Sequence, residues 1–131
     1  MSNNMTWHCE LIIQNDPDCK DDIECLTTHV MNKIYHDRHG RAYEDQNRVR
    51  IYILTQLIRN YVEELTDAEE EHGFNNPMAQ ELILGALQEI DFREIAENLI
   101  SDYSPKSPAE IAEREEYFTI RGFGNFDIDE D

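Results

Sequence analysis

The pattern of apolar and polar positions changes period along this chain, and each change marks a predicted element. In MTWHCELII, residues 5–13, Trp7, Cys9, Leu11 and Ile13 alternate with Thr6, His8, Glu10 and Ile12. That period of two predicts a short half-buried strand. Pro17 and the turn-forming side chains of QNDPDCK then break it. From Asp21 onward Ile23, Leu26, Val30 and Ile34 recur at spacings of three and four, which predicts a helix over 22–39 that Gly40 stops.

A second helix begins near Tyr43 to Asp45. Its stripe runs through Val49, Ile53, Leu57, Tyr61 and Leu65, widened by Ile51, Leu54, Ile58 and Val62, until Gly73 closes it. Pro77 suits a first helical turn, and Met78, Leu82, Ala86 and Ile90 carry a third helix. Asp91 with Glu94 forms a capping box, and Phe92, Ile95, Leu99 and Ile100 give the buried side of a fourth. After the linker SPKSP, Ser107, Pro108 and Glu110 repeat the capping signal for a fifth helix over 108–116. Phe118 and Ile120 then alternate with Thr119 and Arg121, predicting a second strand able to pair with the first.

The expected fold is therefore mainly α: a compact bundle of about five helices with a minor two-stranded ribbon from the two ends of the chain. Its 131 residues suit one domain spanning 1–131, able to bury roughly two thirds of its unfolded surface. With 40% hydrophobic and 9% aromatic residues, the chain has the material for a core, and only residues 122–131 read as a partly ordered acidic-aromatic tail.

Charge is the most unusual bulk property of the chain. The net charge is −18, and it is spread: residues 1–40, 41–76, 77–103 and 104–131 carry excesses of 4, 4, 5 and 5 negative charges. A chain acidic in every quarter repels nucleic acid and anionic lipid and favours protein partners with basic surfaces. No apolar run approaches the roughly 20 residues of a membrane span, and MSNNMTWHCE lacks the basic flank and apolar core of a secretion signal. A cytoplasmic protein with three reduced cysteines is the expectation.

Cys25 and His29, four apart on one helix face, with Cys19 nearby, are the set from which a zinc site would be drawn. No C-x-x-C element accompanies them, so the reading is no metal and no cofactor, with Cys25 packed as a small apolar residue. DPDCKDDIECLT places Asp16, Asp18 and Asp22 at calcium-loop positions, yet Asp21 and Thr27 stand where glycine and glutamate are needed. Glu69 and His72 form a single E-x-x-H element, half of what a di-iron bundle requires. No serine sits in a G-x-S-x-G elbow, and GFG is too short for a phosphate loop. The chain reads as a non-enzyme.

What remains is carboxylate geometry. Helical residues three or four apart lie roughly 5–6 Å from one another, a spacing comparable to neighbouring phosphates. Glu63, Glu64, Asp67, Glu70 and Glu71 form one such row; Glu110, Glu113 and Glu116 form another; Asp127 and Asp129 extend the charge to the end. Charge alone binds with little selectivity, so apolar anchors are needed, and Tyr117, Phe118, Phe123 and Phe126 are the candidates, the last two as a hook.

A small chain with this distribution and no catalytic signature resembles the DNA-mimic and anti-defence proteins of phages and mobile elements, anti-restriction and anti-CRISPR proteins among them. EIDFREIAENLISDY, residues 89–103, is similar to helical endings of small phage-encoded proteins. The resemblance implies a stoichiometric inhibitor in the host bacterial cytoplasm that fills the basic nucleic-acid channel of a defence nuclease complex. It transfers no functional residue. The alternative is an acidic helical adaptor that binds one protein partner through an apolar groove, its charge serving solubility.

Overall fold

A computed structural model describes residues 3–72 and 77–123, the side chains at 66–72, 77, 79, 80 and 83 excepted. Among the described residues there are six helices and no strand: α1 (Asn4–Asn15), α2 (Pro17–Met31), α3 (Gln46–His72), α4 (Pro77–Glu89), α5 (Phe92–Ser101) and α6 (Pro108–Arg121). None is long and apolar enough to cross a membrane.

The ribbon predicted from the chain's two ends is replaced by helix at both. At the N-terminus the side chain of Asn3 caps α1 by accepting from the Thr6 N–H at 2.8 Å. The buried residues are Thr6 and Ile13, while Trp7 is 53% exposed, so the alternation does not coincide with burial. Thr6 can occupy the core because its hydroxyl accepts from the Asp91 N–H at 2.8 Å. Asn3 Nδ2 also donates to the Glu89 carbonyl at 2.7 Å, and together these bonds tie α1 to the α4–α5 junction.

The segment read as a break is the start of α2. Asp16 accepts from the N–H groups of Asp18 and Cys19, and Pro17 takes the first helical position, where its missing N–H costs nothing. The same helix ends at Met31 rather than 39, because Asn32 turns its Nδ2 to the Thr28 carbonyl and the Tyr103 hydroxyl, both at 2.8 Å. Ile34 therefore continues the sequence pattern but lies exposed. Residues 32–45 form a loop in which Gln46 bonds Tyr35 through both N–H and C=O, and Gly40 turns at φ 80°.

α3 is the central element, burying Ile53, Leu54, Leu57, Ile58 and Tyr61 against α2 and α5. α2 contributes Ile23, Leu26 and Val30, and α5 contributes Phe92, Ile95 and Ala96 after the Asp91 cap that its spacing predicts. α6 packs on α2, and α4 sits at the periphery against α1 and α3. α6 runs five residues beyond its predicted end, so the aromatic alternation at Phe118 and Ile120 is helical: Phe118 is buried and Ile120 faces out.

Gly122 closes α6 in the left-handed conformation, φ 64° and ψ 42°. Its N–H donates to the Thr119 carbonyl and the Phe123 N–H to the Phe118 carbonyl, with the Phe118 and Phe123 rings in edge contact at 5.7 Å. This is the Schellman arrangement with its apolar contact. It bends Phe123 back onto the domain.

Candidate functional site

The capping group of Ser107 and the proline after it start α6 so that one side faces α2 and the other faces solvent. On the solvent side Glu110, Glu113, Glu116 and Ile120 line an open groove together with Asp21 of α2. The adjacent cations are already engaged. Arg114 reaches Glu24 at 3.0 Å and the Asp21 carbonyl at 3.4 Å, and Lys106 pairs with Glu110 at 3.4 Å. Glu113 and Glu116 have no ion-pair partner among the described residues, and the groove carries four carboxylates to one guanidinium.

Behind the groove, α6 is fastened by a buried carboxylate. Asp22 is 3% exposed and accepts from the Tyr61 hydroxyl at 2.7 Å, the Tyr117 hydroxyl at 2.8 Å and the Arg121 guanidinium at 3.3 Å. Burial and the bond to Asp22 raise the Tyr61 hydroxyl well above the ordinary tyrosine range. The bond to Asp22, then burial, raises that of Tyr117. Both tyrosines stay neutral donors, which together with the Arg121 guanidinium lets a carboxylate remain buried. The Arg121 guanidinium lies over the rings of Tyr117 and Phe123, at 5.7 and 5.2 Å from their centroids.

A second link joins the same two helices. His29 Nδ1 lies 2.9 Å from both carboxylate oxygens of Glu115, and its ring stacks on Phe118 at 3.7 Å. Burial lowers the imidazole below its ordinary range, against the Glu115 hydrogen bond and charge, which act upward. A histidine that protonates less readily folded than unfolded contributes stability above about pH 6.5 and loses it as pH falls through the folded value. The melting temperature is thus expected to decline on mild acidification, and His29→Gln to flatten that decline. Superimposable pH profiles for the two proteins would contradict this.

The remaining predicted residues divide by location. Tyr117 is half-buried with its hydroxyl on Asp22, and Phe118, at 6% exposure, belongs to the core. Phe123 is half-buried against Tyr61, Tyr117 and Phe118, so the described part of the expected hook points inward. Glu63 and Glu64 are exposed on α3; the side chains of Asp67, Glu70 and Glu71, and all of Phe126, Asp127 and Asp129, lie outside the described residues. Among the described residues α3 and α6 do not pack directly on each other.

The cysteines and His29 face separate partners. Cys25 donates its S–H to the Arg114 carbonyl at 3.1 Å, Cys19 is half-buried against the core, and His29 is held by Glu115. Burial pushes the Cys9 and Cys25 thiols up to about 11, away from the thiolate form that ligates metal or attacks carbon. No group of three histidine, cysteine or carboxylate side chains stands in a metal-binding arrangement among the described residues.

Sequence reasoning placed no site at Asp21, Asp22 or Arg121, and it read Tyr61 only as part of the α3 apolar stripe. A signal for Asp22 was present: it falls in register with Leu26 and Val30, a charge on the apolar stripe. Compared with known proteins, the chain matches no family model, no curated protein sequence and no solved structure.

Proposed function

We propose that this chain is a non-enzymatic acidic binding protein that docks on a basic protein surface. Its target in this reading is a nucleic-acid-binding complex of the host bacterial cytoplasm, whose channel it fills as a charge mimic in the manner of the phage anti-defence proteins it resembles. The observation that carries the reading is the α6 groove. Asp21, Glu110, Glu113 and Glu116 converge there while Arg114 and Lys106 are tied to Glu24 and Glu110.

Carboxylates at roughly 5–6 Å spacing along a helix offer a ladder of acceptors to arginine and lysine. A field of −18 charges steers such a partner towards encounter and weakens with salt. Exposed Ile120 supplies an apolar contact at the groove, and the Asp22 fastening holds the row rigidly in place.

The test is capture of bacterial lysate on the immobilised protein, followed by challenge with salt and with short duplex DNA. A nucleic-acid-binding complex released by both is expected. Neutralising the groove with Asp21→Asn, Glu110→Gln, Glu113→Gln and Glu116→Gln should weaken that complex by at least about tenfold and flatten its salt dependence. The fold should survive, since these side chains face water. A partner that stays bound through high salt and excess DNA would sink the proposal.

A further inference from the structure

α4 carries a second surface that the acidic groove does not explain. Among its described side chains Ala86 and Leu87 are half-buried, as is Ile90 just past its end, while Leu82 and Leu84 are 68% and 56% exposed. At 3.6 residues per turn, Gly85 falls on the exposed arc between those two leucines. Among the described residues a methyl group at Gly85 would meet nothing within 4 Å, and its φ is not positive, so neither their packing nor the backbone geometry calls for glycine there. Glycine in a helix interior is nonetheless a destabilising choice. Glu81 lies four residues before Gly85 and Glu89 four after it, each exposed.

We infer that α4 is a docking face for an amphipathic helix of a partner protein. The partner backbone crosses at Gly85, its apolar side chains rest between Leu82 and Leu84, and its lysines or arginines meet Glu81 and Glu89. A glycine on an exposed helix face, which adds no side chain of its own, lets a second helix approach closely. Charge selects the occupant. Another copy of this chain would bring −18 against −18 and, in a two-fold contact, would set these glutamates near their own copies. A basic helix is favoured at the same positions. This surface is separate from the α6 groove, so either assignment can fail without the other.

The probe is a synthetic helical peptide with leucines at i, i+3, i+4 and i+7 flanked by lysines, set beside a counterpart with glutamates in place of the lysines. Backbone amide shifts of the intact protein should change on α4 and the adjoining stretch of α3 with the lysine peptide only. Leu82→Ser and Leu84→Ser should each weaken binding by at least about tenfold without lowering the melting temperature, because both side chains are exposed. Gly85→Ala should raise the melting temperature yet weaken the peptide, opposite signs that a solvent-facing glycine would not produce. Shift changes centred on α6 or spread over the acidic surface would overturn the assignment. So would equal binding of the glutamate peptide, self-association abolished by Leu82→Ser, or undiminished binding by Gly85→Ala.

Discussion

Replacing Asp22 with alanine is expected to lower the folding free energy by about 3 kcal/mol and the melting temperature by roughly 10 °C. The residue is almost wholly buried, and three donors from two other helices converge on its two oxygens. Alanine leaves the hydroxyls of Tyr61 and Tyr117 without their acceptor, and an unsatisfied buried polar group costs about 1–3 kcal/mol. Arg121 contributes less, because it is exposed and recovers its hydration. Equilibrium denaturation of Asp22→Ala, Tyr117→Phe and the double variant checks the account. Strong non-additivity is expected, since the Tyr117 hydroxyl has nothing left to lose once Asp22 is gone. A loss below about 1 kcal/mol for Asp22→Ala would show that the network does not hold α6.

The same carboxylate shows what could and could not be read from the amino-acid order. α3 announces itself because Ile53, Leu57 and Tyr61 repeat at the helical period and all are buried. The starts of α5 and α6 are equally plain, since Asp91 and Ser107 make the N-terminal caps that their spacing predicts. α1 was hidden for a physical reason: its core positions include Thr6, a polar residue admitted only because Asp91 supplies a donor from 85 residues away. With Thr6 read as polar and exposed Trp7 as buried, a helix imitates a strand. α2 presents a similar ambiguity, because Asp16 and Pro17 serve a turn and a helix start equally well.

Long-range partnership accounts for the groove as well. The row Glu110, Glu113 and Glu116 was visible in the sequence, but Asp21 joins it only because α6 docks on α2. That docking rests on Asp22, Cys25 and His29, whose partners lie 86 to 99 residues away. No local pattern encodes such pairs. Phe123 was hard to read for the converse reason: a hydrophobic residue after a helix-ending glycine is as well suited to folding back as to reaching outward. The Schellman closure at Gly122 selects the first for Phe123.

Phe118 is where a surface-anchor role and a core role make opposite predictions. Phe118→Ala is expected to cost about 3–4 kcal/mol, the usual loss for a buried phenylalanine whose cavity only partly collapses. The ring it removes stacks on His29 and meets Phe123, so the damage spreads along the α2–α6 contact and to the closing turn. Water reaching His29 should let its pKa climb back towards the ordinary imidazole value, because burial is the main cause holding it down. The acid-side decline in stability should shrink in step, which histidine resonances followed through a pH titration would report. Phe118→Leu keeps most of the volume and is expected to cost less than about 1.5 kcal/mol. An anchor exposed to a partner would behave in the reverse way: Phe118→Ala would leave the melting temperature and the His29 titration unchanged and reduce only binding. Since 6% of Phe118 is exposed, the expected outcome is loss of stability, with binding lost only as far as the α6 acidic row loses its support.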